Sequence, residues 1–127
     1  MIRTICVLII VPALLAGMFL LTDGYVRRVS EELSSITLAA AEDVRAGDWD
    51  AARRRADEVK RRWEDTRQTL QIWVNHPDAD SVTLAAALLS TSVAEREDYH
   101  ALLYVDELLE ALGHLYHRDN FTLINVL

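Results

Sequence analysis

The chain has one cysteine, two prolines and four glycines in 127 residues, and only 7% of it is aromatic. A single cysteine, Cys6, excludes an internal disulfide, so the chain must hold itself together by packing. Cys6 lies inside an apolar run and reads as a membrane-facing apolar residue rather than an acylation site. So few turn formers leave room for helices joined by short connections, and little else. Basic residues are scarce in the second half: residues 78–127 hold nine acids against Arg96 and Arg118, whereas residues 1–77 balance eleven against eleven. A net charge of −7 concentrated there argues against a nucleic-acid partner. No P-loop, dinucleotide fingerprint, nucleophile elbow, zinc-protease motif or CxxC occurs.

What is there begins with Ile5 to Leu21, apolar throughout. Seventeen helical residues rise about 26 Å, and Thr4 and Thr22 bring the span near the ~30 Å hydrocarbon core. A helix satisfies every backbone group without water, and Pro12 in such a setting kinks it rather than ending it. Gly17 permits close helix approach, but no GxxxG accompanies it. Tyr25 suits the interface. A cleaved signal peptide is the rival reading. It calls for a shorter apolar region and a small-residue cleavage site, and the nearest A-x-A, Ala39 to Ala41, is far downstream. The expectation is an uncleaved anchor over residues 1–25. Arg3 and the amino terminus, unopposed by acid, favour a cytoplasmic N-terminus and an external body in the cytoplasmic membrane.

Residues 26–127 read as one helical domain. Val26, Val29, Leu33, Ile36, Ala40 and Val44 share a helical face, with Gly24 the one breaker before them, so the anchor helix is allowed to continue outward as a stalk. Gly47 stops it, and Asp48 caps the next helix. There Trp49, Ala52, Ala56, Val59, Trp63, Thr66, Leu70 and Trp73 alternate spacings of 3 and 4 without a miss. Large aromatics spaced by alanines fit packing between helices better than ligand stacking. The opposite face carries Arg53, Arg54, Arg55, Lys60, Arg61, Arg62 and Arg67, interleaved with acids. It reads as a solvated face turned toward the acidic half, with a lipid or polyanion site as the alternative.

Asn75-His76-Pro77-Asp78 is the clearest turn, with Asp78 or Asp80 as the cap of the helix after it. Val82, Ala86, Leu89 and Val93 form the next stripe. A break at Glu97-Asp98 is expected, with Asp98 capping a last helix of stripe Leu102, Val105, Leu109, Leu112 and Tyr116, although no Gly or Pro enforces it. The segments opening Gly47-Asp48 and Glu97-Asp98 look like faint echoes of one helix-hairpin unit. After His117-Arg118-Asp119-Asn120 the apolar tail Phe121 to Leu127 is expected to dock on the bundle or on a partner.

Glu110, His114 and His117, spaced 4 and 3, are the best metal guess, but a solvated face explains them better and no metal or cofactor is expected. Asp78 and Asp80 beside His76 lack the register of a calcium loop, and His100 stands alone.

The N-terminal apolar segment, Gly47-Asp48-Trp49-Asp50-Ala51-Ala52, Trp63, Trp73, His76-Pro77 and the ending Thr122-Leu123-Ile124-Asn125-Val126-Leu127 come one after another with an order and spacing that resemble the bacterial domain-of-unknown-function family 4363. The likeness covers nearly the full length, though the chain is richer in Arg and poorer in Lys than is expected of the family. The resemblance implies a membrane-tethered helical domain and no known activity, so no catalytic residues carry over from it.

The expectation is therefore an all-α protein: an N-terminal transmembrane helix followed by a small antiparallel bundle of three to four helices. It is not expected to be an enzyme. Its expected role is that of a scaffold or adaptor for another membrane or envelope protein, with Trp49, Trp63, Trp73, Phe121, Leu123, Val126 and Leu127 as the candidate interaction surface. The alternative is an extracytoplasmic ligand-sensing bundle that signals through a partner, since few residues precede Ile5 to carry an output.

Overall fold

The computed structural model describes residues 1–70 and 76–126, and side-chain surroundings up to Leu115. Among these described residues four helices follow in chain order: α1 Ile2–Arg45, α2 Trp49–Leu70, α3 His76–Ala94 and α4 Asp98–Val126. Neighbours run around a closed ring, α1 to α2, α2 to α3, α3 to α4 and α4 back to α1. Side-chain pairs fix the directions. Between α2 and α3, Arg67 meets Asp80, Trp63 meets Thr83 and Asp57 meets Ser90. One number falls as the other rises, so these helices are antiparallel. Arg62 with Glu32 and Arg55 with Asp43 say the same of α1 and α2. The result is an up-down-up-down bundle.

α1 is one unbroken helix of 44 residues, about 66 Å long by its rise per residue. It passes through Pro12 and Gly24 without interruption. It is therefore more than a stalk. Its second half, from Val26 to Val44, is one wall of the bundle, while its first half stands clear of every other element. That first half is long and apolar enough to cross a membrane. Fourteen large apolar side chains between Met1 and Leu21 are exposed. At about 1.5 kcal/mol for each such side chain, hiding them from water is worth roughly 20 kcal/mol. That exceeds the ~5–15 kcal/mol that keeps a whole domain folded.

Every helix buries a stripe with alternating steps of 3 and 4. These are Val26, Ser30, Leu33, Thr37, Ala40 and Val44 on α1, and Ala52, Ala56, Val59, Trp63, Thr66 and Leu70 on α2. On α3 the stripe is Ala79, Val82, Ala86, Leu89 and Val93; on α4 it is Ala101, Val105, Leu108, Leu112 and Leu115. A repeat averaging 3.5 residues is the seam of helices packed at shallow angles, knobs into holes. The α2 stripe is the one expected from spacing. Two others are rotated. On α1, Ser30 and Thr37 take buried places and leave Val29 and Ile36 at the flank. Polar side chains can lie there because their hydroxyls donate to carbonyls, Ser30 to Leu112 at 2.8 Å and Thr37 to Leu33 at 2.7 Å. On α4, Leu108 rather than Leu102 or Leu109 faces the centre, with Ala101 and Leu115 one heptad either side.

The two turns at the end of the bundle far from the apolar run are built alike. α1 closes with Gly47 N–H donating to Val44 and Asp48 N–H to Asp43; α3 closes with Arg96 N–H donating to Val93 and Glu97 N–H to Ser92. Both are Schellman closures with a left-handed residue at the turn, Gly47 at φ 72° and Arg96 at φ 56°. The expected break after α3 is present, and the echo between the halves is real but lies one residue earlier, pairing Gly47-Asp48 with Arg96-Glu97. Accordingly Glu97, not Asp98, holds the cap position: its carbonyl accepts from Ala101, while Asp98 opens α4. Asp48 caps α2 as expected, its carboxylate accepting from Ala51 N–H at 3.1 Å.

Two further expectations need correction. α3 begins at His76 with Pro77 in its first turn, so Asp78 and Asp80 lie inside the helix instead of capping it. Proline suits a helix's first turn, where its missing N–H has no partner to lose. α4 also does not stop near His117; it runs on to Val126.

The paired turns make a stability prediction. A left-handed non-glycine residue costs about 1 kcal/mol, so Arg96→Gly should raise the bundle's melting midpoint by several degrees. Gly47→Ala should lower it by as much, because a Cβ at Gly47 meets nothing within 4 Å and the φ angle alone is penalised. Thermal melts followed by circular dichroism check both signs; equal midpoints for the two variants would contradict the matched geometry.

Candidate functional site: the faces and grooves of the bundle

Trp63 is 1% exposed and donates its indole N–H to Thr83 Oγ1 at 2.8 Å. It is interior packing between α2 and α3 and presents no outward surface. Trp49, at the start of α2, packs half-buried against the core. Trp73 and Leu127 lie outside the described residues. Phe121, Leu123 and Val126 fall on the final turns of α4, with side chains outside those described. Leu112 lies at the level of Ser30, and fourteen more residues carry α4 about 21 Å back toward the apolar half of α1. Of the candidates whose side chains are described, Trp63 lies in the core and Trp49 at its flank.

Glu110 and His114 meet at 3.5 Å on the exposed face of α4, and the side chain of His117 is outside those described. Among the described residues no three His, Cys, Asp or Glu side chains gather.

The basic face of α2 is largely exposed, and its partners differ from those expected. Arg55 pairs with Asp43 at 2.5 Å and Arg62 with Glu32, both on α1; Arg62 also meets Glu58 at 2.9 Å. Arg67 pairs with Asp80 on α3. The basic face therefore zips mainly to α1, its ring neighbour, because α4, which holds most of the acidic half, stands diagonally opposite. Such surface pairs are worth under about 1 kcal/mol each and set register more than stability.

Among the described residues, three shallow grooves between neighbouring helices stand out. One, between α1 and α2, is lined by Tyr25, Arg28, Glu32, Arg61, Arg62 and Asp65 among others. A second, between α1 and α4, is floored by small residues, Ser30, Ser34 and Gly113, with Leu38 at its edge. The third, between α3 and α4, holds Leu84, Glu107, Glu110 and His114. Among the described residues outside the apolar half of α1 and Tyr25 at its base, Leu38, Leu84, Tyr99 and Leu103 are the large apolar side chains left exposed, at 54%, 60%, 73% and 39%. Tyr25, at the base of the apolar half, is exposed at 36%. Periodicity could not single out Leu84 or Tyr99, since neither belongs to a stripe.

No curated protein and no solved structure matches the chain. The family described as a domain of unknown function, DUF4363, matches residues 20–126, which spans the bundle from the last residues of the apolar run to the end of α4, and the chain belongs to that family.

Proposed function

We propose that this chain is a single-pass membrane protein that works by binding rather than catalysis. In this reading α1 sits in the cytoplasmic membrane with its N-terminus cytoplasmic. The bundle stands outside as a scaffold or adaptor for another membrane or envelope protein. The observation that carries it is the continuity of α1. The same helix supplies the apolar segment and, without a flexible joint, one wall of the folded domain. A domain mounted this way keeps a fixed height and attitude to the bilayer, which suits holding a partner and gives nothing to a diffusing enzyme. The last turns of α4 support the reading. They carry Phe121, Leu123 and Val126 back toward the membrane end, where a partner's own membrane segment would be met.

Deleting residues 121–127 tests this. Crosslinking in intact membranes followed by pull-down from detergent should recover a discrete membrane or envelope protein with the full chain and lose it, by at least about tenfold, with the deletion; a tenfold loss corresponds to roughly 1.4 kcal/mol of binding. An unchanged partner set would refute a docking role for the tail.

A further inference from the structure

We propose that the groove between α1 and α2 holds the headgroup of a phospholipid, its phosphodiester lying against Arg28 and Arg61. This rests on α1 being embedded in a bilayer. The groove opens at the membrane end of the bundle. Tyr25 lines its base, three residues beyond Thr22. An aromatic ring with a polar tip belongs at headgroup level. Arg28 stands six residues beyond Thr22, about 9 Å along the helix, within reach of headgroup phosphates for a snorkelling side chain.

The charges of the groove divide into a closed set and an open one. Arg62 is committed, tied to both Glu32 and Glu58. Arg28 and Arg61 form no ion pair among the described residues, and both are exposed. The guanidinium group offers a planar fork of donors matched to phosphate oxygens. Asp65, one helical turn from Arg61 toward the membrane, is the uncommitted carboxylate of the groove. It can accept from the hydroxyl or amine donors that a phospholipid carries beyond its phosphate. Half-buried Val29 supplies an apolar wall against which the stems of the arginines and the glycerol backbone can lie.

The basic face of α2 also runs to the far end of the bundle, where Arg53 and Arg54 are exposed. They serve as the charge-matched control, because they carry the same charge with no bilayer beside them. The experiment is a thermal melt of the full chain in uncharged detergent with added phosphatidylglycerol, diacylglycerol of the same acyl chains, or inorganic phosphate. Phosphatidylglycerol at about ten times its half-saturating concentration should raise the midpoint by roughly 5 °C. Diacylglycerol and inorganic phosphate should not. Arg28→Gln with Arg61→Gln should abolish the rise, and Arg53→Gln with Arg54→Gln should keep it. An equal rise with diacylglycerol, an equal rise with inorganic phosphate, or a rise that survives the Arg28/Arg61 change would each overturn the proposal. Resistance of the wild-type chain to alkaline extraction from membranes reports the anchoring separately, so a failed headgroup site and a failed anchor give different results.

Discussion

Trp63→Ala should lower the stability of the bundle by about 3–5 kcal/mol, the usual cost of truncating a buried aromatic. For a domain of roughly 100 residues that is a fall of more than about 12 °C in the melting midpoint. The size comes from position. Among the described residues Trp63 is the largest fully buried side chain, and the residues around it on its own stripe, Ala56, Val59 and Thr66, are too small to fill the space it would leave. Trp63→Phe should cost far less, about 1–2 kcal/mol, since most of the volume stays and one hydrogen bond is lost. Thr83 would keep its bond to the Ala79 carbonyl at 3.0 Å, so no buried hydroxyl is stranded. Melts of the full chain in mild detergent, followed at the helical circular-dichroism band, read both variants. An alanine variant within about 2 °C of wild type would show that Trp63 does not hold α2 against α3.

The second large effect concerns the apolar half of α1. Replacing Ile10 and Leu14 together by lysine places two charges near the centre of the run, each costing about 2.5–3.5 kcal/mol to insert into a bilayer. Both positions are open, 53% and 63% exposed, so neither change touches the bundle's core. The variant should leave the alkaline-resistant membrane pellet and appear in the soluble or aggregated fraction, while the same substitution at exposed Leu38 leaves fractionation unchanged. If the doubly charged chain stayed in the pellet, or if the mature wild-type protein began beyond residue 22, the membrane anchor would be lost from the account.

The α2 stripe shows what spacing can reveal. From Ala52 to Leu70 each residue expected inside is inside, because a surface helix whose other face is thick with Arg, Asp and Glu has one way to turn. On α1 the same spacing points to Val29 and Ile36 and passes over Ser30 and Thr37. Hydropathy has no means of knowing that a hydroxyl will find the Leu112 carbonyl on a helix more than eighty positions away. On α4 four leucines in close succession allow two faces, and only contact with α1 and α3 decides for Leu108. The break at Arg96 is legible without a glycine to mark it, but the residue that caps α4 lies one position before the aspartate that spacing suggests. The basic face is visible as a run of charge. Which of its members are spent on Glu32, Asp43 and Asp80, and which stand open beside Tyr25, is a matter of helix register.

By itself the sequence determined an all-helical chain with one segment apolar enough for a bilayer, because backbone hydrogen bonding and hydropathy are settled within a few turns of each residue. Tertiary structure alone decided that the apolar helix runs unbroken into the bundle as a supporting wall. It also decided that α2 lies beside α1 with α4 diagonally opposite, and which arginines keep free donors. Those outcomes depend on how four helices rotate and slide to share one core, a choice made jointly among distant residues and by no one of them locally.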